Sequence, residues 1–193
     1  MTKGDSTMFR LAFVAAVMLA SLIVCVDHAA AQRTSSKPQL VTKYGDGQAD
    51  GKKSIAGSGE MIRFQRPSPT QKLRGLRLHG SRYGRPRAPD EEVEISVVDE
   101  ENTDVVHTEM VPYKKFKRGE SRWMTILFAE PIDVPDVYWV IFDFHAEATK
   151  GVYVSFDTST GGEHSQVGLP GGKSQEVETG GDWMIQALLT RPQ

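Results

Sequence analysis

From Val41 to Leu189 the apolar residues fall into short runs broken by Gly, Pro and Asp. No window of a dozen residues carries an apolar stripe at helical spacing. Glu92–Val98 shows the pattern most cleanly, with Val93, Ile95 and Val97 on one face and Glu92, Glu94 and Ser96 on the other. That period of two belongs to a half-buried strand. Further strands are expected at Met61–Gln65, Leu73–His79, Val105–Val111, Trp123–Phe128, Gly151–Phe156 and Trp183–Leu189. Val137–Phe144 is apolar on both faces until Asp143, as a central strand covered on both sides would be. Such short strands separated by turn residues define an all-β sandwich or barrel.

The N-terminus speaks to location. Lys3 and Arg10 precede an apolar run from Leu11 to Val26, and Ala29-Ala30-Ala31 stands ahead of Gln32. This is the pattern of a secretory signal peptide over residues 1–31, cleaved after Ala31. The competing reading, a membrane anchor, needs about 20 apolar residues to cross as a helix, and this run has 16. Lipidation at Cys25 would need a small residue before it, where Val24 stands. Residues 32–40 are polar and contain Pro38, a flexible lead-in to one domain over 41–193. Cys25 is the only cysteine and leaves with the signal, so no disulfide, thiol nucleophile or thiolate metal site is expected. The remainder holds 21 Lys and Arg against 23 Asp and Glu. That balance argues against general nucleic-acid binding, which needs a strong positive field.

Charge is nevertheless segregated along the chain. Met61 to Pro89 contains eight basic residues and no acid, and Asp90 to Glu109 contains nine acids and no Lys or Arg. Neighbouring strands of opposite sign pairing across a sheet would explain this. The alternative is a basic face meeting an anionic polymer, an acidic polysaccharide or cell-wall phosphate. Arg82, Tyr83 and Arg85 suit such a surface.

The order of several motifs carries a resemblance. Tyr44-Gly45-Asp46-Gly47 is followed by Gly57-Ser58-Gly59 with Met61-Ile62-Arg63-Phe64, then by His79-Gly80-Ser81-Arg82-Tyr83-Gly84. Gly151-Val152-Tyr153-Val154 with Asp157, His164-Ser165 with Gly168, and Gly181-Asp182-Trp183-Met184-Ile185 complete the series. Together they resemble an uncharacterised β-sandwich domain of exported bacterial and archaeal envelope proteins, often appended to peptidases. The resemblance implies a jelly-roll-like accessory module outside the membrane. It implies no activity, so it transfers no catalytic residue.

Candidate sites divide into three groups. Asp143, His145 and His164, with Ser155 or Ser165, supply the residue types of a hydrolytic triad. However, no Ser lies in a G-x-S-x-G elbow and H-E-x-x-H is absent. Asp157-x-Ser159-x-Gly161-Gly162 alternates oxygen donors before a glycine turn, and Asp46 and Asp50 offer a second oxygen pair. These loops suit a structural calcium or, alternatively, turns capped by side-chain oxygens. The twelfth position is Gly168 rather than Glu, which excludes an EF-hand. Trp123 and Trp183 follow charged residues at strand starts and suit either sugar stacking or the core. Trp139, Tyr153 and Phe156 fit the core.

These readings converge on a secreted or periplasmic, non-catalytic binding or surface-interaction module. Its partner would be a cell-surface carbohydrate or an envelope protein, met by Arg82, Tyr83, Arg85, His164 and Trp183. Loops Ser81–Arg87 and Phe156–Gly172 would form one working edge. No cofactor is required, with structural calcium the one candidate. The alternatives are a hydrolase using Asp143, His145 and His164, and a structural envelope component that self-associates through an edge strand.

Overall fold

In the computed structural model the described residues are Gln39–Leu40 and 44–192. The signal peptide expected over residues 1–31 and most of the expected lead-in lie outside them. The strands are β1 (Gln39–Leu40), β2 (Gly51–Lys53), β3 (Gly59–Gln65), β4 (Leu73–Gly84), β5 (Glu92–Asp99), β6 (Val105–Pro112) and β7 (Arg122–Ile132). There follow β8 (Val137–Asp143), β9 (Lys150–Asp157), β10 (Ser165–Gly168), β11 (Gln175–Glu176), β12 (Asp182–Trp183) and β13 (Ile185–Leu189). Helical structure among the described residues is limited to 3₁₀ turns at Tyr113–Lys115 and Thr158–Thr160. Among these residues no helix is long and apolar enough to cross a membrane.

Two antiparallel sheets face each other. One runs β1-β13-β4-β9-β12, with β7 beside β4 and β2 beside β9; the other runs β11-β10-β3-β8-β5-β6. Alternation decides what lies between them. Leu76 and Leu78 of β4, Val152 and Val154 of β9, Ile62 and Phe64 of β3, and Val93, Ile95 and Val97 of β5 are all inaccessible to solvent. They form one core with Tyr138, Val140 and Phe142 of β8. The all-β sandwich expected from the period-two pattern is therefore what the chain forms.

The run expected as a single strand over Trp183–Leu189 is divided at Met184. Its N–H donates to the Ser155 carbonyl of β9, and its own carbonyl accepts from the His79 N–H of β4. The chain thereby passes from β9, as β12, to β4, as β13.

The outer faces of the two sheets differ. On β8, Trp139 and Ile141 point outward and pack with Met61 and Val98 in a separate small cluster. The 169–174 loop lies against this face: a Cβ on Gly168 would meet Met61 Sδ and Ser174, and Asn102 Nδ2 donates to the carbonyls of Leu169 and Gly172. The apolar outer side of β8 is thus covered by the chain itself. Opposite-sign strands are not neighbours, since basic β4 and acidic β5 belong to different sheets. Of the eight basic residues before Pro89, only Arg63, Arg66 and Lys72 have a carboxylate partner among the described residues: Glu100, Asp136 and Asp133.

Candidate binding groove

The outer face of the β4/β9 sheet carries the arrangement best suited to recognition. Register sets Ser81 opposite Tyr153 and Tyr83 opposite Gly151. Side chains of directly paired residues share a face, so Ser81, Tyr83 and Tyr153 all point away from the core. The two tyrosine rings lie 4.5 Å apart, tilted by 32°. Gly151 makes this possible, because a Cβ there would fall 2.3 Å from the Tyr83 ring. The Tyr83 hydroxyl donates to the Glu147 carbonyl at 2.8 Å, fixing the ring's far end. Tyr153 is 37% exposed.

A groove of about 500 Å³ opens over these rings, lined by Lys52, Ser81, Tyr83, Arg118, Gly119 and Tyr153 among others. Lys52 comes from β2 on one side, its ammonium 5.5 Å from the Tyr153 ring centre. Arg118 comes from the segment running beside β4 on the other side, where the Arg82 N–H donates to the Lys117 carbonyl. Both cations are exposed, and neither forms an ion pair among the described residues. Among the described residues, no carboxylate lines the groove.

The sequence candidates distribute unevenly around it. Tyr83 is in the groove, half-buried. Arg85 is exposed on the turn that follows β4. Arg82 is only 5% exposed, and its guanidinium donates to the carbonyls of Arg85 (2.6 Å) and Pro86 (2.9 Å). It clamps that turn instead of offering charge to a ligand. Trp183 does not present a stacking face. It is 1% exposed, packs in the core, and its indole N–H donates to the Gln166 carbonyl. His164 stacks on Tyr44 at 3.7 Å and its backbone N–H donates to Asp182.

The expected single working edge is also corrected. Tyr83 pairs with Gly151 at the start of β9, whereas the second loop begins near Asp157 at its end. Six residues at about 3.3 Å each place the two loops roughly 20 Å apart.

The hydrolytic group is not brought together either. His145 Nδ1 lies 3.1 Å from Asp143 Oδ2. His164 sits beside Arg63, which pairs with Trp139, four residues before Asp143. That separates His164 from Asp143 by about 13 Å along the strands and about 10 Å across two of them. Ser165 Oγ accepts the Trp183 N–H. Ser155 pairs instead with His79, Oγ to Nδ1 at 2.9 Å. Burial holds the His79 imidazole below its ordinary range, and Ser155 itself is 1% exposed.

The four oxygen residues considered for calcium do converge, at the opposite end of β9. Asp157 Oδ2 accepts the Gly47 N–H, and Oδ1 accepts both the N–H and hydroxyl of Ser159. The Asp46 N–H donates to Ser159 Oγ, and Asp50 Oδ2 accepts the N–H and hydroxyl of Thr158. Burial alone would raise the Asp157 carboxyl, but the bonds from Ser159 and Gly47 outweigh it and hold the group below the usual range. A cation here would compete with these donors for the same oxygens. No group of three or more His, Cys, Asp or Glu among the described residues is arranged to hold a metal.

Sequence reasoning missed Lys52, Arg118 and the exposure of Tyr153. Strict alternation in Val152-Tyr153-Val154 was a sufficient signal for Tyr153; Arg118 stood out only as one of the basic group Lys114, Lys115, Lys117 and Arg118, and nothing local marked Lys52.

No family model matches the chain, and no curated protein does. Among solved structures it is similar to the clostridial cysteine protease Cwp84 after propeptide cleavage, at 14% identity and a TM-score of 0.49, over 80% of this chain and 40% of that one. It is also similar to a structure of the cysteine protease and lectin-like domains of Cwp84, a surface-layer-associated protein of Clostridium difficile. There the identity is 12% and the TM-score 0.42, over 71% of this chain and 33% of that one.

Proposed function

We propose that this chain is an exported, non-catalytic module that binds carbohydrate on the outer face of the β4/β9 sheet. The observation that carries the reading is the Tyr83–Tyr153 ring pair, held on adjacent strands with Tyr153 open to solvent. Aromatic rings present a flat apolar surface with a polar tip, which suits the apolar face of a pyranose ring bordered by hydroxyls. The platform stands on strands, so it needs little ordering when a ligand arrives.

Calorimetric titration of the purified domain against a panel of glycans tests this, with Tyr153→Ala as the control. At least one glycan should bind, and the variant should bind it about tenfold more weakly, a change of ~1.4 kcal/mol. A panel that stays silent, or an unaffected variant, overturns the proposal.

A further inference from the structure

Resting on that carbohydrate reading, we infer that the groove selects polyuronates, chains of pyranose rings that each bear a carboxylate, through Lys52 and Arg118. The groove has an aromatic floor and a cation on each rim. Lys52 rises from β2, outside β9, and Arg118 from the segment outside β4. Three strand spacings therefore separate the backbones carrying the two charges, about 14 Å. Neither cation has an acidic neighbour within ion-pair distance among the described residues, although Lys53, next to Lys52, pairs with Glu178, and Lys150 pairs with Glu91 and Glu147. Cations left unpaired beside a groove that no carboxylate lines create a local positive field.

The chemistry of the ligand follows from where that field lies. The carboxylate of a uronic acid projects from the edge of the pyranose ring. When the ring packs on the exposed Tyr153, which itself leans on Tyr83, this group points sideways toward a rim. In a chain with near twofold symmetry, successive rings turn over, and their carboxylates point alternately to the two sides. A cation on each rim matches that alternation. Arg118 can engage a carboxylate through two parallel N–H donors, and Lys52 acts as a point charge. A neutral glycan makes no use of either cation. A poly(glycerol phosphate) chain carries its charge along the backbone and has no ring to stack.

The test measures binding of the purified domain to polygalacturonate and polymannuronate, each beside its methyl ester, and to poly(glycerol phosphate). The Lys52→Gln/Arg118→Gln double variant is run in parallel, with thermal melts confirming that it folds. At least one polyuronate should bind tenfold or more tighter than its ester. Raising the salt should shrink that preference, and the double variant should abolish it while retaining the weak binding of the ester. Equal affinity for a polyuronate and its ester overturns the charge selection and leaves the carbohydrate reading intact. Silence toward every glycan sinks both. Equal or tighter binding of poly(glycerol phosphate) overturns the choice of polyuronate, and persistent preference in the double variant overturns the assignment to these two residues.

Discussion

Glu60→Gln is expected to stabilise this protein at neutral pH and to flatten its stability profile on the alkaline side. Glu60 lies on β3 among residues that face the opposite sheet, and it is inaccessible to solvent. Oε1 accepts the Ile55 N–H at 3.1 Å, while Oε2 has no hydrogen-bond partner among the described residues. Burial drives its carboxyl well above the usual 4.5; the Ile55 bond opposes this only partly, and the charge of Asp143 adds to the rise. The folded state therefore holds a proton that the unfolded state releases near pH 4.5. Where the folded state binds more protons, unfolding free energy falls as pH rises. The contribution is fully present below 4.5 and is lost progressively up to the raised folded value. A whole proton difference corresponds to about 1.4 kcal/mol per pH unit, or roughly 3–6 °C of melting temperature per unit for a domain of this size. Glutamine keeps the shape and removes the titration. Urea and thermal melts of both proteins between pH 4.5 and 8 should show the natural chain losing stability relative to the variant as pH rises, while the depressed His79 adds the same upward slope to both below its ordinary range. Parallel profiles would show that Glu60 does not hold a proton in the core, and the reasoning from its burial would fail.

Below pH 4 both proteins should weaken together. Hydrogen bonds from Thr158 lower the Asp50 carboxyl, and those at Asp99 and Asp157 act likewise; each contribution is present above the ordinary 3.8 and lost as pH falls through the lowered value. Gly45→Ala should destabilise by roughly 1–3 kcal/mol, because φ is +79° and the new Cβ would lie 2.2 Å from Asp157 Oδ2; an unchanged denaturation midpoint would contradict that contact. His145→Ala combined with His164→Ala should leave glycan affinity within about twofold, since neither residue lines the groove; a large loss in titration would move the binding face. Melting temperatures in calcium and in EDTA should coincide, because hydrogen-bond donors already occupy both carboxylate oxygens of Asp157 and Oδ2 of Asp50; a marked rise in calcium would reveal a bound ion.

Local periodicity was enough to locate β3, β5, β8 and β9 within a residue or two, because each alternates against a single core or is apolar throughout. The alternation around Tyr153 carried its outward orientation too, but aromatic bulk in a strand was read as burial and the exposure was missed. Local reading failed at Trp183 because Asp182 beside it suggested a surface. The aspartate is itself buried, its Oδ1 accepting the His164 N–H. It failed at Arg82 because a string of arginines looks like an exposed face, and only the carbonyls of Arg85 and Pro86 show where the charge goes.

The sequence by itself determined the class of fold, since side chains that alternate every second residue can be half-buried only in strands. It also determined that any binding surface must be built without a thiol among the described residues. Only the tertiary structure decided which residues meet. Lys52, Tyr83, Arg118 and Tyr153 are separated in the chain by loops of no fixed reach, and long-range strand register, a property of the whole sheet, sets them around one groove.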